Sequence, residues 1–236
     1  MKFINNLMLK SVFQKLHSGG GLFFTYYFYH YLSLPFILFF VNYAIRPNTI
    51  SILSFLVTTI SALILITLSD NIPIFIVLSG LFMMLGYILD CCDGVVARLT
   101  NQSSLFGKWL DHFLDGIKLP LVNIALGLAA FELSGNLKII LWAYSFNLFG
   151  QLLYFSAYNF KLLIFGKDVI KSNSKSRVSL FLKFFCITDY GIFILLTFFL
   201  IDINLFLQLY LFYGVICFFL YLFYVIYFIF SIFLKK

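Results

Sequence analysis

Charge is scarce in this chain, and acid scarcer still. Of 236 residues only 11% are charged, nine of them Asp or Glu against 16 Lys or Arg. Soluble domains carry about a quarter charged residues, so this shortage excludes a soluble fold. The 63% hydrophobic content and the mean hydropathy of +1.04 point the same way. Cysteine is sparse as well. Cys91 and Cys92 are adjacent, and Cys186 and Cys217 fall in separate apolar runs, a spacing that suits neither a zinc site nor a disulfide framework. Packing of reduced thiols is expected for them. His30 and His112 stand in no nucleophile–base constellation. The first apolar stretch is too long for a signal peptide and lacks a small-residue cleavage site, so none is expected.

What the chain does have is long apolar sequence, and an all-α integral membrane protein is the consequence. Apolar runs predict six transmembrane helices near 49–69, 74–97, 103–131, 138–160, 182–201 and 204–233. Residues 48–236 then form one membrane domain, and residues 1–47 a cytoplasmic N-terminus. Lys and Arg set the orientation. Lys2, Lys10, Lys15 and Arg46 precede the first span; Arg98 and Lys108 lie between the second and third. Six more, from Lys161 to Lys183, separate the fourth and fifth, and Lys235 and Lys236 end the chain. The opposite connections hold Asp70, Glu132, Asp202 and one cation, Lys138. Both termini are therefore expected in the cytoplasm, and a bacterial inner membrane is the expected location. The run Leu22 to Ile45 contains Pro35 and several tyrosines, and spanning would export three lysines. An N-terminal interfacial amphipathic helix is the expectation there.

Four of the nine acidic residues lie within Asp90 to Asp115, flanked by membrane-grade sequence. One charge at the centre of a membrane helix costs roughly 2.5 to 3.5 kcal/mol, so four uncompensated carboxylates cost on the order of 10 kcal/mol. On a helix, Asp90, Asp93, Gly94 and Ala97 share one stripe. Gly107, Asp111 and Asp115 follow at i, i+4, i+8 on the next helix, with Ser103 or Ser104 as its N-cap. The short connection lets the two stripes face each other. Glycine and alanine between acids leave room for a ligand near the backbone. Clustered carboxylate oxygens suit Mg2+, Mn2+ or Ca2+, with phosphate oxygens completing the shell. Pairing of the acids with Arg98 and Lys118 is the plainer explanation; small residues interleaved with four acids favour the ligand site.

The residues Asp90, Asp93, Gly94, Ala97, Arg98, Gly107, Asp111 and Asp115 fit D-x2-D-G-x2-A-R-x8-G-x3-D-x3-D without departure. In this the chain resembles the CDP-alcohol phosphotransferase family, as it does in Pro47-Asn48-Thr49 opening the first span. The resemblance implies an enzyme: a transferase moving a substituted phosphate group from a CDP-alcohol such as CDP-diacylglycerol to an acceptor hydroxyl, releasing CMP, in phospholipid biosynthesis. It implies Asp90, Asp93, Asp111 and Asp115 as metal ligands for two Mg2+ or Mn2+ ions, with Asp115 also the general base. Asn48, Gly94, Ala97, Arg98 and Gly107 would bind the cytidine diphosphate part. A lipid on at least one substrate, a cytoplasm-facing site, a homodimer and no nucleic-acid partner complete the expectation. Lys118 is a candidate for a phosphorylated acceptor or for charge balance. Asn147, Gln151 and Asn159 are candidate helix bridges, and Asp189 a paired or functional acid. A divalent-cation transporter or channel is the alternative from a different class, since intramembrane acids also mark ion paths.

Overall fold

The computed structural model describes residues 12, 24–68, 73–138, 140–142, 144–150, 152 and 190–233. Among the described residues the secondary structure is entirely helical. A π-helical turn, Thr25–Tyr29, runs into α1, His30–Asn42. Then come α2, Pro47–Leu68; α3, Pro73–Leu99; and α4, Leu105–Ser134. Further helical residues occupy 137–138, 140–142 and 144–150. The short helix α5, Tyr190–Leu195, continues as a 3-10 segment, Leu196–Ile201, and α6 is Ile203–Phe233.

Local sequence sets these boundaries. Pro47 and Pro73 each open a helix, where a missing amide proton costs nothing and the fixed φ fits. Ser104 caps α4 by accepting the Gly107 amide at 2.9 Å, and Gly135 at φ 65° ends it. Between α3 and α4 the chain turns in five residues. Asn101 takes the left-handed conformation at φ 57°, and the Gln102 amide donates back to the Ala97 carbonyl at 2.9 Å.

Among the described residues four helices, Pro47–Leu68, Pro73–Leu99, Leu105–Ser134 and Ile203–Phe223, are long and apolar enough to cross a membrane. At 1.5 Å per residue the 22 residues of α2 reach about 33 Å, enough for a hydrocarbon core. These correspond to the first, second, third and sixth predicted spans. The predicted fourth span is described only in part, and the fifth only from Tyr190; Gln151, Asn159, Asp189 and the lysines from 161 to 183 lie outside the described residues. Helix α1 differs from the amphipathic expectation. Its exposed side carries Tyr31, Leu32 and Phe39, while the side packed into the protein holds His30 and Ser33 with Ile37 and Phe40. It is apolar where it faces outward.

Helix α2 is the centre of the site-bearing half. It packs along both α3 and α4, whereas the backbones of α3 and α4 barely approach each other. Its contact with α3 is made by small residues. Ser54 donates to the Gly86 carbonyl at 2.9 Å, and Ser61 and Ser79 donate to each other's carbonyls at 2.6 and 2.9 Å. The opposite face of α2, with Ile52, Leu56, Ile60 and Leu63, is exposed, which places hydroxyls inside and hydrocarbon outside. In the other half, Val122, Leu126 and Ala129 of α4 pack with Phe193, Leu200, Phe206 and Tyr210. Tyr210 there donates to Asn123 at 3.0 Å and accepts from Asn147 at its carbonyl, so Asn147 is a helix bridge. The N-terminal turn is seated late in the sequence: Tyr29, fully buried, donates to the Gly191 carbonyl at 3.1 Å, across 162 positions.

A Cβ on Gly86 would stand 2.3 Å from the Thr58 hydroxyl oxygen. Gly86→Ala is expected to destabilise the protein by about 1–3 kcal/mol through overpacking. Adding Thr58→Ala is expected to recover most of that loss, which a double-mutant cycle of unfolding in detergent measures.

Candidate functional site

The starts of α2 and α4 and the end of α3 meet around a cleft of about 280 Å3. Seven of the residues that the family resemblance assigns to nucleotide or metal line it: Asn48, Asp93, Gly94, Ala97, Arg98, Gly107 and Asp111. The glycines are where chains come close. A Cβ on Gly107 would stand 3.0 Å from Asn48 Oδ1 and 3.1 Å from Ser104 Oγ, so α2 touches the first turn of α4 there. Arg98 folds back over its own helix, its guanidinium 3.2 Å from where a Cβ on Gly94 would be.

The carboxylates span the gap that α3 and α4 leave between them. One oxygen each from Asp90, Asp93 and Asp111 lie within 4.8 Å of one another, and Asp111, His112 and Asp115 form a second such group. Asp111 on α4 meets Asp93 on α3, and Lys118, further along α4, meets the earlier Asp90. Residues later in one helix therefore pair with residues earlier in the other. The two run antiparallel, and the acidic stripes face each other as the sequence predicts.

Each acid has its own surroundings. Asp93, 7% exposed, accepts a 2.5 Å hydrogen bond from Ser51 on α2. Asp90 Oδ1 accepts from Lys118 Nζ, and the Ser54 hydroxyl, which donates to Gly86, lies 3.5 Å from it. Lys118 Nζ also lies 2.8 Å from Asp115 Oδ1, while remaining buried itself. Asp115 is thus held in an ion pair, although its side chain is 37% exposed against 17% for Asp90. Lys118 faces acids and does not line the cleft, so of its two candidate roles the geometry matches charge balance.

Three hard-oxygen donors at this spacing fit a divalent ion such as Mg2+ or Mn2+, which takes carboxylate, water and phosphate ligands. The cleft beside them is lined by Gly94, Ala97 and Gly107, with Arg98 close over Gly94 and Asn48 close to Gly107. The sequence reading missed Ser51 and Ser54, which place hydroxyls on two of the acids. Ser51, Ser54, Thr58 and Ser61 recur every three or four residues in an otherwise apolar helix, and this stripe was the available signal.

A profile of the family described as CDP-alcohol phosphatidyltransferase matches residues 44–233, and the chain belongs to that family. Among its relatives, cholinephosphotransferase 1 of Xenopus laevis is 37% identical over 87 residues, which cover 34% of this chain and 21% of that protein. Archaetidylinositol phosphate synthase of Pyrococcus horikoshii is 32% identical over 85 residues, 36% of this chain and 41% of that one. Cholinephosphotransferase 1 of Danio rerio is 31% identical over 87 residues, covering 34% and 22%. In each case the aligned stretch spans less than half of the relative's own length.

Ser51→Ala removes the hydroxyl donor from a buried carboxylate. A loss of about 1–3 kcal/mol is expected, measured by unfolding in detergent without added metal, with Ser51→Thr close to wild type.

Proposed function

We propose that this chain is an integral-membrane CDP-alcohol phosphotransferase that moves a substituted phosphate group from a CDP-alcohol to the hydroxyl of an acceptor alcohol and releases CMP. The observation that carries the reading is the convergence of the Asp90, Asp93 and Asp111 oxygens beside a cleft walled by Gly94, Ala97 and Gly107. Family membership supports the same reaction class. The two kinds of named relative differ in the product or group their names carry, so the donor stays a CDP-alcohol and the acceptor an alcohol.

In this reading Asp90, Asp93 and Asp111 hold Mg2+ or Mn2+, and Asp115 is the fourth acid of the set. When bound, the metal neutralises charge on the diphosphate oxygens. Arg98 and Asn48 contact the nucleotide, and Gly94, Ala97 and Gly107 let its diphosphate approach the helix backbones. Asp115 accepts the proton of the acceptor hydroxyl. The acceptor oxygen bonds to the β-phosphorus, the bond from that phosphorus to the CMP oxygen breaks, and CMP leaves with its electron pair. Ser51 keeps the Asp93 carboxylate turned toward the cleft.

The acids sit at the ends of α3 and α4 that also bear Arg98 and Lys108, while Glu132 lies at the far end of α4. By the positive-inside rule that end faces the cytoplasm, where a soluble nucleotide arrives and a lipid substrate enters from the bilayer. The reading includes six spans, an N-terminal segment on the inner face of a bacterial membrane, both termini in the cytoplasm, a role in phospholipid biosynthesis and a homodimer. A cation transporter requires acids or broken helices distributed across the bilayer. The clustering of these four acids toward one end gives it no support.

Purified protein incubated with Mg2+ and a panel of CDP-alcohols and acceptor alcohols is expected to release CMP with at least one pair. No release with any pair would count against the reading. Asp115→Asn is expected to lower transfer by about 10²-fold or more while leaving CDP-alcohol binding in place. A parallel loss in a nucleotide titration would show that Asp115 binds and does not act as the base.

A further inference from the structure

Three tyrosines pack together where the Thr25–Tyr29 turn meets α3 and α5. The Tyr29 and Tyr87 rings lie edge to face at 4.7 Å, and those of Tyr87 and Tyr190 at 5.1 Å. Two of the hydroxyls are used: Tyr29 donates to the Gly191 carbonyl at 3.1 Å, and Tyr87 shares a hydrogen bond of 2.7 Å with Thr25. The Tyr190 hydroxyl is buried and has no hydrogen-bond partner among the described residues. Buried polar groups are nearly always hydrogen-bonded, because leaving one bare forfeits its hydration. We propose that Tyr190 is an acceptor-binding residue, its hydroxyl donating to an oxygen of an uncharged acceptor alcohol whose reacting hydroxyl meets Asp115. The inference rests on the transferase reading above and names the class of acceptor.

Position along the helices decides which substrate this hydroxyl meets. Asp93 and Asp111 line the cleft with Arg98 and Lys108, at the ends of α3 and α4 where the nucleotide is bound in this reading. One turn deeper, about 5 Å along the axes, are Asp90 and Asp115, joined by Lys118 and absent from the cleft wall. Tyr87 is three residues deeper again on α3, with Tyr190 against it. The charges that act on the Tyr190 hydroxyl are those of Lys118, Asp115 and Asp90. In phosphoryl transfer the attacking and leaving oxygens stand roughly in line across phosphorus. With CMP leaving toward the cleft, the acceptor alcohol comes from the opposite side, which is the side of Asp115 and Tyr190. That side has little to offer an anion. Its cation, Lys118, is 5% exposed and already holds two carboxylates. The other Lys and Arg among the described residues, Arg46, Arg98, Lys108 and Lys138, lie at helix ends. The surroundings of Tyr190 are aromatic instead, with Tyr87 and Phe193 against its ring. An alcohol of no net charge suits such a wall with one free donor, whereas a phosphorylated one would bury an unmatched charge.

The full-length chain in lipid nanodiscs is supplied with Mg2+ and the CDP-alcohols of the panel. Dioctanoylglycerol and inositol serve as uncharged acceptors, glycerol 3-phosphate and inositol phosphate as anionic ones. The wild type is expected to release CMP with an uncharged acceptor and with neither anionic one. In Tyr190→Phe, which deletes only the hydroxyl, the KM for that acceptor is expected to rise about 10-fold, while the KM for the CDP-alcohol stays the same and the unfolding midpoint does not fall. CMP release with either anionic acceptor, an unchanged acceptor KM, or an equal rise in the KM of the donor overturns the proposal. So does a lower unfolding midpoint or a variant that does not fold, since either shows that the hydroxyl bonds within the protein. No CMP from the wild type with any pair removes the transferase reading itself, and this inference with it.

Discussion

Carboxylates gathered among membrane helices repel one another and lose their water, and the ammonium of Lys118 between Asp90 and Asp115 is the contact that lets them stay together. Removing a charge from water costs several kcal/mol even after relaxation, and mutual attraction offsets that only when the remaining donors and acceptors are satisfied. Here α2 supplies what the ion pair lacks: Ser51 reaches Asp93 and Ser54 reaches both Asp90 and Lys118. Because those hydroxyls come from a third helix, α3 and α4 need not touch, and the space between them becomes the site. The cleft is in this sense a by-product of how the acids are satisfied.

The same logic runs through the whole site-bearing half. Water is absent from a bilayer core, so polar side chains turn inward to one another and apolar ones turn out. Ser51, Ser54, Thr58 and Ser61 are buried on one face of α2, while Ile52, Leu56, Ile60 and Leu63 are exposed on the other. Small residues permit the close approach that these hydroxyl contacts need. Gly86 is the clearest case, since any side chain there would meet Thr58.

Much of this was legible in the sequence, because the strongest signals are those that membranes make expensive. Four acids at fixed spacing located the site, Ser103 or Ser104 marked the start of α4, with Ser104 the actual cap, and the apolar runs gave α2, α3, α4 and α6. The stripe of hydroxyls on α2 was legible, but the partner of each hydroxyl was not. A serine or threonine in a membrane helix can bond its own backbone one turn back, as Thr59 and Thr67 do, or reach a neighbour, as Ser54 does. Sequence does not distinguish the two outcomes. Nor did it show that Lys118 belongs to Asp90, 28 positions away, as much as to Asp115 on the same helix. Helix α1 read as amphipathic because its tyrosines suggested a headgroup level, yet Tyr29 of the preceding turn is fully buried among aromatic neighbours.

Tyr29 carries a consequence for biosynthesis. Its hydroxyl needs the Gly191 carbonyl and its ring lies against the Gly191 Cα, a partner made 162 residues later. At about 5 to 20 residues per second, the ribosome takes on the order of ten to thirty seconds to supply it. The earliest of these segments to be synthesised is thus among the last to reach its final seat, because the contact that holds it does not exist until Gly191 has been made.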